Sequence, residues 1–494
     1  MPTGADNTLD VVDARSTGYK SMEPRWGLLH TLLGGTEAMR AAGSTYLPQE
    51  EKEQPDRFGR RLNRSYLHPA YSNTVKKIAA KPFIKPVTTQ GELPDPLAEL
   101  LEDVNGEGQT LTAFAREAFE IGVKYGLFHI LVDYSKVPEG LTLEDERKAG
   151  YRARLLLVSP VDLIGWGVEN KDGSKSLVQV RIKETQIQST GTYLDKEVEY
   201  VRVYTPTTWE LHEKITKDGA ESYVNVENGE HSFGSIPLVT CYLTKDGFMT
   251  AQPPLDELAY KNLEHWQVYS DQSNLISYAR RATLFATGWS KTERKAGIVL
   301  SPGEFIAVGA DKNTADLKFV EHSGKAIDAG RQHLEDIETT MIVLGLQPFV
   351  THRQGKGTKT ATEAEIDESR TQSEAQYWVA MVEIAIEDAI GLAAQWYKVE
   401  VPDDFSVDIF QDFTAISRSA AYADALLKAR EKREISHRTY LREIKRMGMI
   451  SDTIDIEEEI LELQKEELAA LTALTKEEEE ETPPTTPTGE EGEE

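Results

Sequence analysis

The spacing of apolar residues divides the chain into blocks of different period. In "GQTLTAFAREAFEIGVKYG" (Gly108–Gly126), Leu111, Phe114, Ala115, Ala118 and Ile121 recur at one-, three- and four-residue steps, which predicts an amphipathic helix. It runs into "LFHILVDY" (Leu127–Tyr134), a short apolar run of the buried-strand type. Upstream, "WGLLHTLLGGTEAMRAAG" (Trp26–Gly43) and residues 65–80 read as helices, and Pro-rich residues 81–96 as a connection. Residues 151–245 change to β-branched, aromatic and often alternating runs: "RLLLVSPVDLIGWGV", "SLVQVRIKE", "VEYVRVYTPTTWELHEK" and "SIPLVTCYLT". Turn residues separate them, so a largely antiparallel sheet is expected.

From Pro254 the helical period returns. Residues Pro254–Arg281 predict one long helix, and Lys325–Gly345 a second. On the second, Leu334, Ile337, Met341 and Leu344 are spaced three, four and three apart, the pattern of a helix-packing seam. Between the helices, residues 282–324 contain short strand-like runs. After them, Thr360/Glu363 and Thr362/Glu365 have capping-box spacing and predict a very long helix reaching about Lys398. A strand over Asp404–Phe413 and three short helices between Ser417 and Leu474 complete the pattern. The whole is an α+β layout.

Composition narrows the function. The formal net charge is −28, and the low-complexity end, residues 477–494, holds nine Glu and no basic residue. Removing those nine charges still leaves −19 on the remainder, so the body itself is acidic. A conventional DNA reader carries a basic face, and this composition argues against one. The single cysteine, Cys241, lies in an apolar strand-like run, which suggests a buried thiol and a reducing compartment. The N-terminal residues are polar without an apolar signal segment, and no apolar run approaches the roughly 18–20 residues that span a bilayer. The expectation is a protein kept in the cytoplasm or in a particle assembled there, with no membrane partner.

Catalytic patterns are missing. No HExxH, CxxC or metal-spaced histidine cluster occurs, so neither a metal nor a cofactor is expected. Near Ser232 a nucleophile elbow would need Gly where Glu230 stands, and a hairpin turn is the simpler reading. Asp133, at a strand end, has no partner histidine or Gly-rich turn. The glycine-rich stretch "VTHRQGKGTKTATEAEIDES" (Val350–Ser369) fails as a phosphate loop: Val350 stands where the first Gly belongs, Gly357 follows Lys356, and the preceding pattern is helical. It nevertheless gathers Arg353, Lys356 and Lys359 around Gly355 and Gly357 in an acidic chain. The chain is expected not to be an enzyme.

The order of these blocks resembles the portal proteins of tailed double-stranded DNA phages, especially a compact subgroup of about this length. "YLPQ" followed by "RLNRSYLHPAYSNTVKKIAAKPFIKP", then "TLTAFAREAFEIGVKYGLFHILVDY", "LDELAYKNLEHWQVYSDQSNLISYA", "TATEAEIDESRTQSE" and "EISHRTYLREIKRMGMISDTIDIEEEILEL" look similar to successive segments of that subgroup. The resemblance implies a homo-oligomeric ring of about twelve subunits at one capsid vertex. Residues 1–253 with 360–413 would be the wing, 254–281 and 325–349 the stem, 282–324 the clip, 350–359 the tunnel loop, 414–476 the crown, and 477–494 a disordered acidic tail. Double-stranded DNA would pass through the centre. The terminase large subunit and later a head–tail adaptor would dock on the clip, and the major capsid protein or scaffold would surround the ring, which is assembled in the bacterial host cytoplasm. On this reading Arg353, Lys356 and Lys359 touch DNA, Gly355 and Gly357 let their loop move, Lys291, Arg294 and Lys295 form a docking patch, and Leu334, Ile337, Met341 and Leu344 pack the stem. Two rival readings are another oligomeric virion component, such as a head–tail adaptor or internal head protein, and a cytosolic hydrolase with an unrecognised site.

Overall fold

A computed structural model of the protein describes residues 11–134, 151–280, 283–287, 316–320, 325–346 and 373–465, apart from positions 172, 218, 232, 412, 414–419, 433–434, 447–449, 451–453, 455, 458 and 464. Helices α1 (Thr17–Leu33), α2 (Gly35–Ala42), α3 (Pro55–Arg64) and α4 (Ala70–Ala80) come first, then strand β1 (Thr88–Gln90) and helix α5 (Asp95–Glu102). Helix α6 (Leu111–Tyr125) leads into β2 (Leu127–Tyr134). Strands β3 (Ala153–Val158), β4 (Leu163–Lys171), β5 (Ser174–Ser189), β6 (Asp195–Tyr204), β7 (Thr208–Lys217), β8 (Ala220–Glu230), β9 (Leu238–Tyr242), β10 (Lys245–Gly247) and β11 (Thr250–Ala251) follow. The rest is α7 (Asp256–Ala279), β12 (Thr283–Thr287), β13 (Asp316–Val320), α8 (Lys325–Leu346), α9 (Glu374–Tyr397), β14 (Ser406–Asp408), α10 (Ala420–Glu431) and α11 (His437–Arg446). The chain divides into two units, Met1–Phe410 and Gln411–Glu494.

The α6–β2 junction forms as the pattern predicts, for local reasons. Thr110 caps α6 by accepting the Ala113 N–H, and Gly126 ends it at φ +84°. A side chain at Gly126 would also meet the Gln252 carbonyl oxygen at 2.2 Å, so glycine is required twice over. The buried face of α6 includes Phe119 and Val123, while Ile121 is only half-buried.

Strand β2 is central in a three-stranded antiparallel sheet of order β3-β2-β9. Phe128, on one face, lies beside Gly122 of α6. Leu131, on the other, joins a cluster with Val180, Ile182 and Tyr204 from the second sheet, an antiparallel meander of order β4-β5-β6-β7-β8. Burial on both faces explains why β2 reads as a continuous apolar run rather than an alternating one. The expected single sheet is therefore at least two, because "RLLLVSPVDLIGWGV" breaks after Val158 and Pro160 separates β3 from β4.

Three other expectations need correction. The helix expected over 65–80 starts at Ala70, after Pro69. The strand expected over Asp404–Phe413 shrinks to β14, whose three residues pair with β1 in the register Thr88↔Asp408. The continuous helix expected from 360 to about 398 is interrupted: Ser373 is extended (ψ 158°) and opens α9 with its own capping box, Ser373 and Gln376 each binding the other's backbone N–H. Residues 347–372, with both expected capping boxes, lie outside the described residues.

Helix α9 is apolar along most of its length and buries Trp378, Val379, Val382, Ile386 and Ile390 over the three-stranded sheet. Its Glu383 and Glu387 accept the Ile409 and Val407 N–H groups at 2.7 and 2.8 Å, fixing β14 to the helix. Cys241 is buried and donates its thiol to the Met381 carbonyl; burial pushes the thiol well above its usual range, so it is structural and unreactive. Asp133 faces its cross-strand partner Arg154 in a 2.8 Å ion pair, which accounts for a carboxylate at that strand end. In the second unit, α10 and α11 are linked by the Arg430 Nε donating to His437 Nδ1.

Candidate functional site

The site singled out by sequence is the pair of long helices and what they carry. Helix α7 has two carboxylates, Asp256 and Glu257, in its first turn, where they complement the helix dipole. Its inward stripe is Leu258, Ala259, Asn262, His265, Trp266, Ser270 and Gln272, all buried. The spacing is helical, but the stripe is half polar, so each polar group needs a partner.

Those partners come from two sides. From α3, Arg61 is buried, pairs with Glu53 at 2.8 Å, and reaches Ser270 and Asp271 of α7. The Arg61 hydrogen bond holds the Glu53 carboxyl below the usual carboxylate range. Arg64, on the same helix, donates to Ser277 and to Asn274 at 3.1 Å. From the loop before α4 and the start of that helix, Asn262 takes the Tyr71 N–H and gives a hydrogen bond to the His68 carbonyl, both at 2.9 Å. Cutting a single one of these buried partners leaves the other group unpaired, at about 1–3 kcal/mol.

Helix α8 runs antiparallel to α7. Gln272 reaches the Ile327 carbonyl (2.7 Å), and one turn pair further down His265 meets Glu338 (Nε2 to Oε1, 3.2 Å). Sequence number falls on one helix as it rises on the other. The approach is close because α8 carries glycine where it touches: a Cβ at Gly330 would lie 2.1 Å from Gln272 Oε1, and one at Gly345 would lie 3.0 Å from the Thr74 side chain on α4.

The predicted seam divides. Ile337 and Met341 are buried, whereas Leu334 and Leu344 are half-buried at its margins. The opposite face of α8 exposes Ile342, Val343 and Leu346, and α7 exposes Tyr260. The seam is thus one of two apolar surfaces on the same helix. Sequence reasoning missed the polar seam members Asn262, His265 and Gln272. The legible signal for the packing was Gly330 and Gly345 within a helical pattern, since a glycine there has a packing reason or costs about 1 kcal/mol.

The far ends of the pair lead into a β-ladder. Strand β12 begins four residues after α7 ends at Ala279, and it pairs with β13 in antiparallel register from Thr283↔Val320 to Thr287↔Asp316. The ladder closes the base of the excursion between 287 and 316. Lys291, Arg294 and Lys295 lie outside the described residues, as do Arg353, Gly355, Lys356, Gly357 and Lys359. No helix among the described residues is long and apolar enough to cross a membrane.

Residues 254–397, from the start of α7 to the end of α9, match a family described as a domain of unknown function, DUF4055. No curated protein matches the chain. Among solved structures, a chain from the virion of a native gene transfer agent particle is 12% identical, with a TM-score of 0.38, covering 87% of this chain and 98% of that one. A chain from the neck of an empty particle of this kind, computed with C6 symmetry, is 11% identical with a TM-score of 0.40, covering 86% and 97%. One from the neck of a native particle, computed with C12 symmetry, is 13% identical with a TM-score of 0.37, covering 77% and 90%.

Proposed function

We propose that this chain is the subunit of a phage-type portal: a structural protein without catalysis of its own, whose copies form a ring at one capsid vertex. The observation that carries the reading is the antiparallel pair α7 and α8, joined at one end by the β12–β13 ladder and its excursion. In this reading the helix pair, fixed at its base to a mixed α/β body, is the stem, and the small β element at its tip belongs to the clip. The exposed apolar face of α8 (Ile342, Val343, Leu346) supports it, because a neighbouring copy in a ring would cover that face.

Charge supports the same reading. Binding to duplex DNA strengthens steeply with each phosphate neutralised, through counterion release, so a basic channel would clamp its cargo. A chain of net charge −28 repels the duplex and leaves it free to slide. Arg353, Lys356 and Lys359 follow α8 in sequence and would make brief phosphate contacts at the narrowest point. In this reading the clip residues Lys291, Arg294 and Lys295 meet the packaging terminase and then a head–tail adaptor, and the capsid protein or scaffold surrounds the ring in the virion.

Negative-stain microscopy with mass determination of the purified full chain tests the proposal. The expected result is an axial ring of about twelve subunits with a central hole. Monomers or dimers at every concentration and salt tried would overturn it.

A further inference from the structure

The geometry points to a divalent metal site, fitted to Zn²⁺, formed by His68, His265 and Glu338. The three come from the loop before α4, from α7 and from α8. One ligating atom of each lies within 4.8 Å of the other two. Positions 68, 265 and 338 are too far apart in sequence for any spacing rule to connect them, which is why the sequence gives no metal motif. This inference stands apart from the ring reading and would hold for a monomer.

The distances suit a tetrahedral ion. With ligands at about 2.0–2.1 Å, the edge of a tetrahedron around Zn²⁺ is about 3.3–3.4 Å. His265 Nε2 and Glu338 Oε1 are already 3.2 Å apart. His68 needs only a small side-chain movement to close the set: its ring is 5.1 Å, centroid to centroid, from that of His265, tilted by 48°. The movement is available because His68 is only half-buried. Two imidazoles and one carboxylate leave the fourth position to water and match zinc chemistry, whereas Mg²⁺ and Ca²⁺ require mostly oxygen ligands.

The His265 side chain is 3% exposed, so an ion on its Nε2 would be shielded from solvent on the α7 side. The site is also held from behind: Asn262, one turn before His265, donates to the His68 carbonyl and so sets that loop against α7. An ion here would tie the two long helices to the α4 segment.

The test uses the full-length protein stripped with a chelator, with Zn²⁺ and Co²⁺ as probes. Zn²⁺ affinity is measured by competition with a chromophoric chelator, and Co²⁺ by its visible spectrum. The expected result is one tight equivalent per chain and the intense bands of four-coordinate Co²⁺. His68→Gln and Glu338→Gln should each weaken Zn²⁺ binding at least ten-fold and remove those bands, with circular dichroism unchanged. Both are partly exposed positions, so neither variant depends on refilling a core. Absence of a stoichiometric site would overturn the proposal. So would the pale spectrum of six-coordinate Co²⁺, or equal affinity in wild type and both variants, either of which would indicate adventitious binding by surface carboxylates.

Discussion

The two apolar faces of α8 respond to substitution in opposite ways. Ile337 is 3% exposed and Ile342 is 63% exposed, five residues apart on one helix. Ile337→Ala removes three carbon atoms from a place closed to water. At about 0.8 kcal/mol per buried carbon the transfer loss is about 2.4 kcal/mol, and an incompletely filled cavity raises it to about 3 kcal/mol. That loss is internal to each chain, so it should lower the denaturant midpoint of isolated subunits as well as of any assembly. Ile342→Asp touches little within the chain and should change subunit stability by under about 0.5 kcal/mol. If a second copy covers this face, the same change puts an unpaired carboxylate into an apolar contact at every subunit boundary, costing several kcal/mol each. Light scattering gives the assembly state, and tryptophan fluorescence in denaturant gives the stability, since Trp266 lies fully buried on α7. Ile337→Ala should unfold early, and Ile342→Asp should stay folded but fail to assemble. An Ile342→Asp protein of wild-type mass would remove the exposed face from any interface. An Ile337→Ala protein of unchanged stability would refute the seam.

Three further outcomes are expected. Replacing Arg353, Lys356 and Lys359 together by Ala should preserve assembly and shorten the packaged genome per particle; full-length packaging would make the loop only a connection, and loss of assembly would move it to an interface. Burial pushes His129 down to about 3, against about 6.5 in an unfolded chain, so it contributes no instability above pH 6.5 and costs stability progressively as pH falls from 6.5 toward 3. Between pH 7.5 and 5.5 the wild type should therefore lose about 1.4 kcal/mol that His129→Gln does not lose, a difference read from denaturant midpoints at the two pH values; parallel pH profiles would refute it. Ser373→Ala removes the reciprocal cap of α9 and should lower stability by about 1 kcal/mol in thermal or denaturant unfolding, whereas Ser373→Asp should retain most of it.

Local patterns alone determined much of this protein. The α6–β2 junction, the two long helices, the strands of residues 151–245 and the Ile337–Met341 seam were legible because period, caps and turn residues act within a few positions of one another. The start of α9 was not: Ser373 and Gln376 have capping-box spacing, but the upstream pairs at 360 and 362 present the same signal, and local spacing cannot rank repeated copies of one motif. What needed tertiary structure was everything that joins distant positions. Pattern could not divide the strands between two sheets, because an alternating strand shows which residues are buried but not what covers them. It could not place Arg61, His265 or Gln272, since a polar residue on a helix reads as solvent-facing until another segment supplies its partner. Nor could it bring His68, His265 and Glu338 together, because side chains from three segments meet only once the antiparallel packing of α7 and α8 and the docking of the α4 loop have fixed their relative heights.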